Sequence, residues 1–134
     1  MIEEKIKNRG EEMSVLEGHD RLHYLIDIAK GVEPLSAQEK IDENKIRGCA
    51  SNLWVVGQVD NGTMFYKHDA DAFITKGVVS IIADIFSGST PKEIVESEVD
   101  LTTELDFGTI LSGQRRNGAY NMLLKVKEYA KLWI

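Results

Sequence analysis

A chain of 134 residues, 43% hydrophobic and 28% charged, has the size and balance of one ordinary globular domain, so residues 1–134 are expected to fold as one unit rather than as a disordered or fibrous chain. The formal net charge of −6 argues against a nucleic-acid or anionic-membrane binder and leaves proteins or small molecules as expected partners. The start is charged from Glu3, unlike a secretory signal, and the longest apolar-rich stretch, Gly77 to Phe86, is interrupted by Ser80 and Asp84; the expected location is therefore the cytoplasm, with no membrane span.

In chain order, Ile2, Ile6, Met13 and Leu16 recur at helical spacing and predict a first helix over Ile2 to Glu17. A second is predicted from Arg21 to Lys30, with Asp20 as N-cap, Gly31 as its stop, and Leu22, Leu25, Ile26 and Ala29 on one face. His19-Asp20-Arg21-Leu22-His23 has the outline of a zinc-protease H-E-x-x-H, but aspartate replaces the glutamate and no third ligand motif follows. The pair reads as exposed helix-start residues, and no metal site is expected. From Val32 to Asn44 the chain is polar and reads as a loop.

Lys45-Ile46-Arg47 is expected to form a short strand, and Gly48 a sharp bend just before Cys49. Leu53 to Val59 and Thr63 to His68 are β-rich runs joined by hairpin-turn chemistry at Asn61-Gly62. With those two as turn residues, Val59 opposes Met64 and Val55 opposes His68. Leu53, Val55, Val59, Met64 and Tyr66 then form the core face. Trp54 is expected to anchor the preceding loop by core packing.

Paired apolar positions from Phe73 to Phe86 predict the most buried helix, with Asp71 as N-cap. Gly77 within it implies close approach by another backbone, expected to be the strand carrying Trp54. Thr90-Pro91-Lys92-Glu93 is a capping box opening a short helix to about Ser97. Asp100 to Asp106 is expected to add a further turn or two, and a loop follows from Gly108. The last helix, about Arg115 to Trp133, is expected to bury Ala119, Met122, Leu123, Val126, Ala130 and Trp133. The result is an α+β fold, a small antiparallel three-stranded sheet packed with helices.

Cys49 is the only cysteine, so it can form no internal disulfide and can act chemically only as a single nucleophile. Holding an iron-sulfur cluster would take several thiolates. A cysteine hydrolase would need a nearby base, and a non-catalytic structural adaptor is the remaining alternative.

Gly48-Cys49-Ala50-Ser51-Asn52-Leu53-Trp54 is similar to the G-C-x-S-x-V-W signature of the SufE family, sulfur-acceptor partners of cysteine desulfurases in iron-sulfur cluster assembly. Asp69-Ala70-Asp71 through Gly77 resembles the family's D-x-D helix start, and Leu111 through Gly118 its L-[ST]-P-S-R-x-x-G segment, with Gly113-Gln114 in place of proline-serine. The resemblance implies a fold shared with scaffolds of the IscU type. It also implies a carrier and desulfurase activator rather than a free-standing enzyme. Cys49 would accept sulfur as a transient persulfide, with no resident cofactor, and pass it to an iron-sulfur scaffold complex. Gly48, Ser51, Asp71 and Arg115 are the supporting residues, Arg115 as the cation favouring thiolate. Partial shelter of Cys49 by the hairpin and the loop before Arg115 is expected, because a persulfide is easily lost.

Overall fold

The computed structural model describes residues 2–17, 19–48, 52–98 and 113–134, with the backbone alone for 113–116. Cys49, Ser51 and the expected turn over 100–106 lie outside the described residues, as does the loop that follows it up to residue 112. Among the described residues the elements are helices α1 (Ile2–Ser14) and α2 (His19–Lys30), a 3₁₀ turn (Asp42–Asn44), strands β1 (Leu53–Asp60) and β2 (Thr63–Ala70), and helices α3 (Phe73–Phe86), α4 (Pro91–Glu96) and α5 (Gly113–Lys131). None of the helices among the described residues is long and apolar enough to cross a membrane.

The hairpin forms in the expected register, with Val59 opposite Met64 and Val55 opposite His68. Asn61 and Gly62 both take positive φ, 51° and 80°, which is the backbone a two-residue turn needs to match the strand twist. Register decides burial: Leu53, Val55, Met64 and Tyr66 are buried and Val59 partly so, whereas Gln58, Phe65 and Lys67 on the other face are exposed. Trp54 belongs to that outer face. It is half-buried, with Lys40 Nζ 5.2 Å from its ring centroid, so a surface loop rather than the core covers it.

The expected third strand is a correction: among the described residues the sheet has two strands, and Lys45 makes only an isolated bridge to Trp54. The cause is length. The 3₁₀ turn ends at Asn44 and Gly48 swings the backbone to φ +82°, leaving too few residues between them for a ladder beyond the Ile46 N–H to Leu53 carbonyl bond of 2.8 Å. The outer edge of β2 is closed instead by the turn after α3. Met64 N–H donates to Ser89 O, Gly88 N–H to Met64 O and Tyr66 N–H to Ser87 Oγ, at 2.8, 2.7 and 3.1 Å.

α3 is the central helix, burying Val78, Val79, Ile81, Ile82, Ile85 and Phe86. Gly77 permits close approach, but of α2 rather than of the strand: a Cβ there would run into the Leu25 carbonyl. Asp71 is not the cap. Ala72 occupies that position without a side-chain cap, since the carboxylate one residue earlier is engaged elsewhere. α2 starts at His19, so Asp20 lies in its first turn and does not cap it. α4 has its capping box, Glu93 N–H donating to Thr90 Oγ1 at 3.2 Å and Thr90 N–H to Glu93 Oε1 at 3.1 Å.

α5 buries Ala119, Met122, Val126 and Ala130, and Tyr66 donates from its hydroxyl to the Val126 carbonyl at 2.8 Å, tying hairpin to helix. Trp133 is 54% exposed, because the helix ends at Lys131 and the residue leaves the buried stripe. One cluster joins α1, α2, the hairpin, α3, α4 and α5 around these residues.

Candidate functional site

The chain enters the cysteine loop along Lys45 to Arg47, with Ile46 buried and hydrogen-bonded to Leu53 across the base of the loop. Gly48 then adopts φ +82°, a left-handed conformation strained for any residue with a Cβ. Space gives a second reason for glycine. A Cβ at Gly48 would lie 2.6 Å from Asn121 Nδ2 and 3.1 Å from Asn117 Nδ2.

Those two asparagines stand one turn apart on α5 and turn their amides toward the same stretch of backbone. Asn121 Nδ2 donates to the Arg47 carbonyl at 2.7 Å, and Asn117 Nδ2 reaches the Gly48 carbonyl at 3.4 Å. The loop is also held where it leaves. Asn52 Nδ2 donates to Asp71 Oδ2 at 2.7 Å, and the Asp71 N–H donates to the Asn52 carbonyl at 3.0 Å. The described backbone on the two sides of residues 49–51 is therefore anchored, at Arg47 and Gly48 by α5 and at Asn52 by the residue just before Ala72.

Of the expected site residues, Gly48 makes its bend and Asp71 holds the far end of the loop. Arg115 lies in the first turn of α5, two residues before Asn117. Cys49 and Ser51, and the side chain of Arg115, lie outside the described residues, and with them the expected thiolate stabilisation and shelter. Sequence reasoning assigned no role to Asn52, Asn117 or Asn121. The available signal was an asparagine pair at i, i+4 on a helix whose other face carries Ala119, Met122, Val126 and Ala130.

The two aspartates of the D-x-D segment do different work. Asp69 is 3% exposed and accepts from Leu35 N–H at 3.0 Å and Ala70 N–H at 2.9 Å, while pairing with Lys40 at 3.1 Å and Lys76 at 3.2 Å. Burial pushes its carboxyl up, but the Leu35 N–H, both lysines and the Ala70 N–H together outweigh that and hold it below the usual carboxylate range. It thereby pins the Leu35–Lys40 loop across the outer face of the hairpin. Asp71 is exposed and holds a neutral amide.

His68 faces the core opposite Val55, is 8% exposed, and has no hydrogen-bond partner among the described residues at either ring nitrogen. Burial drives its pKa down to about 4, Lys76 pushing the same way and Asp69 against it. Such an imidazole is a poor general base at neutral pH. His19 and His23 are both exposed on α2, and no group of three or more His, Cys, Asp or Glu among the described residues is placed to hold a metal ion.

The SufE family model, an Fe-S metabolism associated domain, matches residues 7–130. A SufE-like protein of Rhizobium etli is 33% identical over 118 residues, 84% of this chain and 80% of the relative. One from Rhizobium meliloti is 32% identical over 86% of each chain. SufE-like protein 1 of Arabidopsis thaliana, chloroplastic/mitochondrial, is 33% identical over 87% of this chain, which spans 32% of that longer protein. A hypothetical protein of Thermus thermophilus, solved in solution, superposes with a TM-score of 0.78 over 96% of this chain and 94% of its own at 17% identity, so it shares the fold.

Proposed function

Because the chain belongs to the SufE family, associated with Fe-S metabolism, we propose that it is a sulfur acceptor and carrier. In this reading Cys49 takes sulfur from the persulfide of a cysteine desulfurase and delivers it to an iron-sulfur scaffold complex. The observation that carries the proposal is the double anchoring of the chain on either side of the only thiol, at Arg47 by Asn121 and at Gly48 by Asn117 on one side, and at Asn52 by Asp71 on the other. A single reactive group presented between two fixed ends suits transfer between proteins. The poor basicity of His68 counts against the hydrolase reading.

The step is a sulfur transfer with the requirements of thiol-disulfide exchange. Cys49, as thiolate, attacks the outer sulfur of the donor persulfide. A new S–S bond forms at Cys49, the donor S–S bond breaks, and the donor cysteine leaves as thiolate. The proton lost by the Cys49 thiol balances the one taken up by the departing group. Oxidation state is exchanged between the two cysteines, so neither an oxidant nor a resident cofactor enters. A free thiol of pKa about 8.5 is only a few per cent ionised at neutral pH. The proposal gives Arg115 the task of favouring the thiolate, Ser51 that of hydrogen-bonding the loop, and Gly48 and Asp71 that of shaping it. The transfer belongs in the cytoplasm, where a lone thiol stays reduced.

Incubation with a cysteine desulfurase and free cysteine, followed by intact-mass measurement, tests this. Uptake of one reducible sulfur atom, lost in Cys49→Ser, is the expected result. Absence of uptake from every desulfurase of the same organism would sink the reading.

A further inference from the structure

The grip of α5 on the loop deepens this reading and rests on it. Two side-chain amides from one helix converge on consecutive carbonyls, Arg47 and Gly48, immediately before the thiol-bearing residue. Neither asparagine serves the core: Asn117 is exposed and Asn121 half-buried, while the buried stripe of α5 is carried by Ala119, Met122, Val126 and Ala130. The closeness is mutual, since only the missing Cβ of Gly48 leaves room for the Asn121 amide. At 2.7 Å the Asn121 bond is a strong one, whereas 3.4 Å for Asn117 lies beyond the usual N–H to O range. Asn121 is therefore the principal contact and Asn117 its support.

We propose that Asn121, seconded by Asn117, is a positioning residue for the sulfur acceptor. It latches the backbone that leads into Cys49 onto the rigid, core-packed helix α5. The latch fixes the backbone at Arg47 and Gly48 on one side of Cys49, just as Asp71 fixes Asn52 on the other, so the chain on both sides of the nucleophile is held in place when a persulfide arrives. Effects of this kind act on the transfer step, because a group held near its attack geometry loses less freedom on reaching it.

Two measurements on the full chain test it. Hydrogen exchange of the free protein, read on peptides spanning residues 46–52, should quicken about fivefold in Asn121→Ala and in the isosteric Asn121→Asp, both of which remove the donor, and less in Asn117→Ala. Exchange at the Asp60–Thr63 turn should not change. Single-turnover sulfur uptake from excess persulfidated desulfurase should show a maximal rate lowered about fivefold in Asn121→Ala, with half-saturation shifted less than twofold, and Asn121→Gln should recover part of the rate. Unchanged loop exchange in Asn121→Ala overturns the latch. So does faster exchange throughout the chain, which would mark a merely structural role, or a quickened loop with an undiminished maximal rate. If the wild-type protein takes up no sulfur, the carrier reading falls instead, while loop exchange still decides whether Asn121 holds the loop.

Discussion

Replacing His68 with leucine should flatten the acid limb of the stability profile. In the folded protein the imidazole is buried, without a hydrogen-bond partner among the described residues, and titrates at about 4; in the unfolded chain it titrates near 6.5. Since the folded pKa is depressed, the unfolded state binds the proton first. Stability from this group is therefore full above about pH 6.5 and is lost as pH falls toward 4. The span of roughly 2.5 units corresponds to about 3 kcal/mol at the bottom of that window. Urea unfolding of wild type and His68→Leu, under reducing conditions at half-unit steps from pH 7.5 to 4, reads the difference directly. Carboxylates common to both proteins cancel in the comparison. At pH 7 the variant should be at least as stable as wild type, because a buried group lacking partners is replaced by an apolar one. Parallel curves for the two proteins between pH 6.5 and 4 would refute the account of His68 as a neutral, enclosed imidazole.

Asp69→Asn should destabilise by about 3 kcal/mol at pH 7, since it leaves Lys76 and Lys40 facing a neutral side chain beneath the Leu35 loop. Denaturant unfolding checks this, and a loss below about 1 kcal/mol would contradict the buried ion-pair reading. Gly77→Ala should cost about 1–3 kcal/mol in the same assay, because α2 and α3 must separate to admit a methyl group against Leu25.

The hairpin was legible residue by residue because its signals are local: two alternating runs, and a turn pair that tolerates positive φ. The capping box at Thr90 and Glu93 was legible for the same reason. Errors arose where a neighbour distant in sequence decided the outcome. Gly77 announced a close approach, but a missing side chain names no partner, and Leu25 of α2 lies far from it along the chain. Asp71 has the chemistry of an N-cap, yet the Asn52 amide competes for its carboxylate and Ala72 takes the capping position uncapped. Lys45 to Arg47 looked extended, and is, but the 3₁₀ turn before it and Gly48 after it leave no room for a ladder. Asn117 and Asn121 were unreadable as anchors, because their partners are backbone carbonyls, which have no signature in sequence.

The loop's two ends also differ electrically. The exposed Arg47 carries a positive charge on the way in, while the exposed Asp71 carries a negative charge on the way out. Asp69 cannot reinforce Asp71, because its charge is spent on Lys40 and Lys76. For the proposed transfer, the sign of the entry side is the one that suits an anion and the sign of the exit side is the one that does not. Asp71 is nevertheless suited to its place, since it holds Asn52 through a neutral amide and a backbone N–H, contacts that set geometry without bringing a counter-ion. The division of labour follows from that: Asp71 and the α5 asparagines hold the described backbone at Asn52, Arg47 and Gly48, and the proposed transfer assigns the ionisation of Cys49 to a cation, Arg115, rather than to these anchors. Geometry and ionisation are thus separable by mutation, a changed maximal transfer rate for the anchors and a shifted pH profile for the cation.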